Sequence, residues 1–310
     1  MDPPDHTRIR RLVTKAFTPG RVDRMRPGIQ LLADRLLDAV ADRGHADLIA
    51  EFATPLPITV ICDLLGVEQD ARRDFRAWTD ALIAPDPRNP GAAKRAVAAM
   101  LTYFPQLIAD KRRTRGNDLL SDLIDARDDG DRLTEDELTS LAFLILFAGY
   151  ENTVQLIGTA VLALLDHPEQ LAELRDNPDK VEGAVEEFAR FDGPALLAIR
   201  RFPVDDVEIG GVTIPAGETV MLSLASANRD PDRFPDPDRL DVHRRDGGHL
   251  ALGHGIHYCV GAPLARLETQ IAVSTLLRRF PDLELAAPRD DLRWRPSMRA
   301  RGLIALPVRF

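Results

Sequence analysis

The chain has 310 residues, 45% of them hydrophobic, and a formal net charge of −9. Such a length can bury a sizeable core in one large domain or two ordinary ones. The acidic balance argues against a nucleic-acid partner, and two cysteines are too few for a disulfide framework, which fits a cytoplasmic protein. The start, Met1-Asp2-Pro3-Pro4-Asp5-His6, lacks the pattern of a signal peptide or an anchor. Glu151 and Asn152 interrupt the longest apolar segment, residues 138–165, so no membrane partner is expected.

Most of the sequence reads as helix, broken by proline-rich loops at residues 84–91 and 230–237. Cys62 lies in an apolar run and reads as a core residue. Residues 141–147 are apolar on every side, as in a helix buried within a large core. They run into Ala148-Gly149-Tyr150-Glu151-Asn152-Thr153, where the character changes. Glycine inside a helix costs about 1 kcal/mol relative to alanine, so Ala148 and Gly149 predict close approach of another group. The polar Glu151, Asn152 and Thr153 need partners there, since burying them unpaired is costly. Glu187 and Arg190, three residues apart, share one helix face among apolar neighbours.

Strand-like pieces come late. Val207-Glu208-Ile209 and Val212-Thr213-Ile214 flank Gly210-Gly211, which predicts a hairpin. Residues 219–222 and 302–308 are further strand candidates. Helices early and a minor sheet late predict a mostly α (α+β) fold, with 1–310 as a single domain.

The most informative stretch is Leu252-Gly253-His254-Gly255-Ile256-His257-Tyr258-Cys259-Val260-Gly261-Ala262-Pro263, where one cysteine ends a glycine-spaced loop before a helical run. N–H groups opening a helix have no intrahelical partner, and a sulfur held there accepts them at the positive end of the macrodipole. A helix terminus contributes only about 0.3–1 kcal/mol, under one pKa unit for a thiol, whereas metal coordination deprotonates it outright. A planar cofactor that takes a lone cysteine as its protein ligand is haem. The competing readings are a zinc cluster of His249, His254, His257 and Cys259, and an inert buried cysteine. Structural zinc sites more often pair cysteines a few residues apart, and inertness explains neither the glycines nor the helix.

This loop resembles the haem-binding signature of the cytochromes P-450, specifically the soluble bacterial class. The resemblance implies a cytochrome P-450 fold, a haem b (iron protoporphyrin IX) cofactor and Cys259 as its axial ligand. Leu252 stands where the family usually has phenylalanine, and Gly261 completes the loop. Ala148 and Gly149 then match the helix stretch against the haem face. Glu151 matches the proton-delivering acid, Asn152 replaces the usual threonine, and Thr153 lies one residue further, about 100° round the helix. An amide can hold water or dioxygen but cannot relay a proton as a hydroxyl does, which predicts weakened proton delivery.

Burying the two haem propionates calls for cations, and the family's positions match His6, Arg10, Arg201 and His257. Glu187 and Arg190 match a structural ion pair whose third member would be Arg239. Arg8, Arg11, Lys15 and Arg266 are expected to form a basic patch that docks an acidic electron donor. The implied activity is insertion of one oxygen atom of dioxygen into a small organic substrate, with electrons from a ferredoxin-type donor and its reductase. Met1 falls near the start of the family's third major helix, so the chain is expected to be truncated at its N-terminus. That raises two alternatives: a catalytically silent haem-binding remnant or, from Asn152, a peroxide-driven haem-thiolate enzyme.

Overall fold

The computed structural model describes residues 2–83, 89–125, 133–245 and 248–310, so most of the proline-rich loop at 84–91 lies outside the described residues. Helices α1 (Asp5–Thr14), α2 (Pro19–Asp23) and α3 (Arg26–Ala41) open the chain, and strand β1 (His45–Asp47) follows. α4 (Pro55–Leu65) starts with proline, where its missing N–H is not needed, and ends at Gly66, whose left-handed φ of 68° favours glycine. α5 (Arg72–Ile83), α6 (Ala92–Arg113) and α7 (Leu119–Asp125) lead to α8 (Glu135–Gly149). Thr134 and Glu137 cap α8 reciprocally: Thr134 Oγ1 accepts the Glu137 N–H at 3.2 Å, and Glu137 Oε2 accepts the Thr134 N–H at 2.8 Å.

At Tyr150 the backbone turns to φ −121° and ψ −40°, which separates α8 from α9 (Glu151–Asp166). The apolar stretch is thus two helices meeting at a buried tyrosine. Glu135–Asp166 together are long and apolar enough to cross a membrane by length and composition, but 61% of the apolar window is buried inside the protein. Its apolarity serves the core. α10 (Pro168–Asp176), α11 (Val181–Asp192), α12 (Leu224–Ala227) and α13 (Ala262–Arg279) complete the helices.

β2 (Val207–Ile209) and β3 (Val212–Ile214) form the predicted hairpin, with Ile209 opposite Val212. Gly210 and Gly211 turn it at φ 59° and 79°, values that a side chain would strain. β4 (Glu284–Leu285) and β5 (Pro307–Arg309) join β1 in a second antiparallel sheet of order β1-β5-β4. The candidate strand at 302–308 shrinks to β5 at its end, and 219–222 forms an isolated bridge from Val220 to Arg201, with the Leu222 carbonyl accepting the Ala198 N–H at 2.9 Å. β1 comes early in sequence and closes this sheet from the far end of the chain, so the sheet is not confined to the C-terminal part.

α9 and α13 organise the interior. Val154, Ile157 and Val161 of α9 pack in the main core with Leu56 and Ile61 of α4 and Leu264 and Ile271 of α13. Leu156, Ala160 and Leu164 of α9 pack in a second cluster with Phe188 of α11 and Val273 and Leu277 of α13. Every residue from 153 to 164 is buried, so most are apolar, and the polar Gln155 and Thr159 among them are hydrogen-bonded.

Candidate functional site

Cys259 sits in the turn that feeds α13. Gly253 and Gly255 take φ of 78° and 67°, so both are required by the backbone path. The Cys259 N–H donates to the Leu252 carbonyl at 2.8 Å, which ties the cysteine back to the start of its own loop. Gly261 differs: its φ is −82°, and a Cβ there would meet Cys259 Sγ at an ordinary 4.0 Å. Its small size therefore leaves space beside the sulfur but relieves no strain. Burial pushes the Cys259 thiol up, against the N–H groups of Gly261 and Ala262 and the charges of Arg10 and Arg266. Protein groups alone leave a thiol, and coordination to a metal is what removes its proton.

α1 brings a cluster of nitrogen donors to this loop. The rings of His6 and His257 lie 4.3 Å apart, centroid to centroid, and Arg10 Nη2 donates to the Tyr258 carbonyl. His6 Nδ1 is buried with no hydrogen-bond partner. Burial, with His257 and Arg10 nearby, pushes the His6 pKa down. An orphaned imidazole nitrogen beside a guanidinium is the donor set that a carboxylate such as a haem propionate would satisfy, so these residues fit that group. Arg201 sits on the segment bridged to Val220, its Nη1 donating to the Ile199 carbonyl at 3.2 Å. Among the described residues no group of three or more His, Cys, Asp or Glu side chains is placed to hold a metal ion, which removes the zinc reading.

The junction of α8 and α9 presents an exposed face. Leu144 (56% exposed), Phe147 (38%), Ala148 and Asn152 recur at three- and four-residue spacing along α8 and into α9, and so share one side. Gly149 does not belong to that face. A Cβ there would meet Ile61 Cδ1 of α4 at 2.7 Å, so its close approach is to a neighbouring helix rather than to a cofactor. Thr153 is 4% exposed and turned into the core, which leaves Asn152 as the polar side chain on the open face. Glu151 pairs with Arg295 at 2.8 Å and accepts from Gln155 Nε2 at 3.1 Å. Gln155 in turn accepts the Leu303 N–H at 2.8 Å, which anchors this acid to the C-terminal segment.

On the cysteine side, Glu187 and Arg190 form a doubly hydrogen-bonded ion pair at 2.7 and 2.8 Å, both residues buried. Arg190 Nη1 also donates to the carbonyls of Asn228 and Pro237 at 2.8 and 2.9 Å. The expected third member is corrected here. Arg239 contributes only its carbonyl, at 3.3 Å from Arg190 Nη2, and its side chain is exposed. Arg244 supplies the second guanidinium, 3.2 Å from Glu187 Oε2. The chain runs on from Arg239 through Asp241, whose N–H donates to Glu187 at 3.0 Å, before a side chain can reach the carboxylate.

Two carboxyl groups escaped sequence reasoning. Glu186 holds Arg266 bidentately at 2.6 and 2.8 Å and lies 3.2 Å from His249 Nε2. Its doubling with Glu187 among apolar residues was the available signal. Glu268, at the end of the second turn of α13, is 1% exposed, and its Oε2 has no partner. Burial pushes its pKa well up, because a charged carboxylate is disfavoured away from water. The expected basic patch is also reduced, because Arg8 pairs with Glu137 and Arg266 with Glu186.

A lone sulfur at a helix start, carboxylate-seeking donors beside it and a largely apolar face on another helix define a haem-thiolate protein. Comparisons with known proteins agree. A family model described as cytochrome P450 matches residues 91–295. Cytochrome P450 107B1 of Saccharopolyspora erythraea is 55% identical over 308 residues, which are 99% of this chain and 76% of that protein. The 6-deoxyerythronolide B hydroxylase of the same organism is 46% identical over 310 residues, covering 100% and 76%. Among solved structures, the Bacillus subtilis polyketide synthase cytochrome P450 PksS superposes with a TM-score of 0.95 at 40% identity, covering 99% of this chain and 79% of that one. The chain belongs to the cytochrome P450 family. It is a haem-thiolate monooxygenase with haem b as cofactor, and these relatives favour that activity over the silent and peroxide-driven alternatives.

Proposed function

We propose that Cys259 is the axial ligand of the haem iron, and that His6, Arg10, Arg201 and His257 hold the propionates. The observation carrying this reading is the place of Cys259 at the mouth of α13, where its carbonyl accepts the Ala262 N–H at 3.3 Å, Arg10 donates to the adjoining Tyr258 carbonyl and the His6 ring lies against that of His257. When bound, haem supplies the activation of dioxygen and the transfer of one oxygen atom to a C–H bond or an alkene. Leu252 holds the cysteine through its carbonyl, which accepts the Cys259 N–H, and Gly261 leaves room beside the sulfur. Leu144, Phe147 and Ala148 give the substrate side its apolar surface, which suits a lipophilic substrate. Asn152 holds water or dioxygen through its amide, while Glu151, steadied by Arg295 and Gln155, is the proton source behind it.

The substrate is a bulky polyketide-type molecule. The hydroxylase named for 6-deoxyerythronolide B supports this, as do the polyketide-linked PksS and its structure. Electrons come from a ferredoxin-type donor with its reductase, docking on the face shared by α13 and the cysteine loop, and the protein works in the cytoplasm. The reduced, carbon-monoxide-bound absorption spectrum tests the ligand assignment, since a thiolate ligand shifts it characteristically. The shifted band is expected in the native chain and lost in Cys259→Ala. A Cys259→Ala protein with an unchanged band would refute the assignment. A macrolactone added to the ferric protein is expected to move the Soret band, and a lack of response to any macrolactone would count against the substrate class.

A further inference from the structure

Glu186 stands outside every role described so far, yet it touches both ends of the cysteine loop. At the near end, His249 Nδ1 accepts the Ala251 N–H at 3.2 Å, which leaves the proton on Nε2 to be donated to Glu186 Oε2, also at 3.2 Å. At the far end, Arg266 Nε and Nη2 grip the same carboxylate at 2.6 and 2.8 Å. Arg266 Nη2 also donates to the Tyr258 hydroxyl at 3.0 Å, one residue before the cysteine. One side chain of α11 therefore spans the loop from residue 249 to residue 258.

We propose that Glu186 is a positioning residue for the thiolate, clamping the loop at both ends and cancelling the Arg266 charge that would otherwise act on the Cys259 sulfur. The proposal rests on the reading of Cys259 as the haem ligand. Burial pushes the Glu186 carboxyl up, but the His249 and Arg266 hydrogen bonds outweigh it and hold the group at about 2, so it is an anion throughout the working pH range. The Arg266 charge acts on the Cys259 sulfur, as does that of Arg10. With its carboxylate partner in place, the guanidinium is half of a neutral pair. Without it, a net positive charge sits beside the thiolate, draws electron density back toward the sulfur and favours the reduced iron. A cavity of about 210 Å³ opens among Glu186, His249, Tyr258 and Arg266, and the side chains of Glu186 and Arg266 are 40% and 39% exposed. Solvent therefore screens part of the effect.

The test is the ferric/ferrous midpoint potential of the haem-loaded protein, with the reduced carbon-monoxide spectrum recorded on every sample. Glu186→Gln is expected to shift the equilibrium toward the ferrous form by roughly tenfold, about 59 mV for one electron. Arg266→Gln is expected to shift it in the opposite direction, and the double variant to return close to the native value. A merely structural role for Glu186 lowers haem retention without moving the potential of the molecules that keep haem. An unmoved potential in Glu186→Gln, with the thiolate-type spectrum intact, would overturn the proposal, as would a double variant that does not return. Should Glu186→Gln take up no haem, Arg266→Gln and Arg266→Lys carry the test. Loss of the charge is expected to lower the potential and its retention to preserve it, so equal potentials overturn the idea. A native protein without the thiolate-type band would instead sink the ligand reading itself.

Discussion

At the level of one side chain, Asn152 is the position whose chemistry bears most directly on proton delivery. It occupies the open face of α9, while Thr153, the nearest hydroxyl in sequence, is buried on another side of the helix. An amide accepts and donates hydrogen bonds but passes no proton of its own along a chain, as a hydroxyl does. Asn152→Thr is therefore expected to raise the product formed per NAD(P)H consumed, with less reduced oxygen lost as peroxide. Product and peroxide assayed in one reaction check this, and an unchanged ratio would mean that water held by the amide already serves. Cys62 shows the opposite kind of departure from expectation, which is none. It is fully buried, and burial pushes its thiol up to about 12, as suits an inert core residue.

At the level of elements, α11 carries two adjacent carboxylates with separate duties. Glu187 faces inward to Arg190, Arg244 and the Asp241 N–H, while Glu186 reaches the cysteine loop. Arg190 then donates to Asn228, whose side chain accepts the Leu250 N–H at 2.7 Å. The ion pair thus braces the same loop from behind. Removing one partner of a buried pair leaves an uncompensated charge, at a cost of about 3–5 kcal/mol. Arg190→Ala is expected to lose stability on that scale and to bind haem poorly, as read by urea unfolding and by absorbance per mole of protein. Arg239→Ala, which leaves the carbonyl in place, is expected to be nearly neutral by the same measurements. Spacing showed an acid and a base on one helix face, but only the path of the chain after Pro237 selected Arg244 as their companion.

At the level of the whole molecule, the main core runs from Leu12 of α1 to Val308 of β5, and α9 and α13 contribute to both apolar clusters. Elements so interlocked are expected to unfold together, so far-ultraviolet circular dichroism and Soret absorbance of the haem-loaded chain should give coincident transitions. Haem that binds only the folded state adds about 2.7 kcal/mol at a free concentration one hundred times its dissociation constant. The midpoint temperature is accordingly expected to rise with added haem, and two separate transitions would argue for more than one domain. The cysteine loop, the apolar central helix, the hairpin and the Glu187–Arg190 pair were all legible in the sequence, because each is written in neighbouring residues as a glycine pattern, a period or a short spacing. What only the tertiary structure decided were the meetings of distant segments. Gly149 faces Ile61 and not the exposed face of α8, Glu151 is paired by Arg295, and Glu186 bridges His249 to Arg266. The physical reason is the same in each case: the direction of a side chain follows from how helices pack against one another, and no local pattern records which distant residue stands opposite.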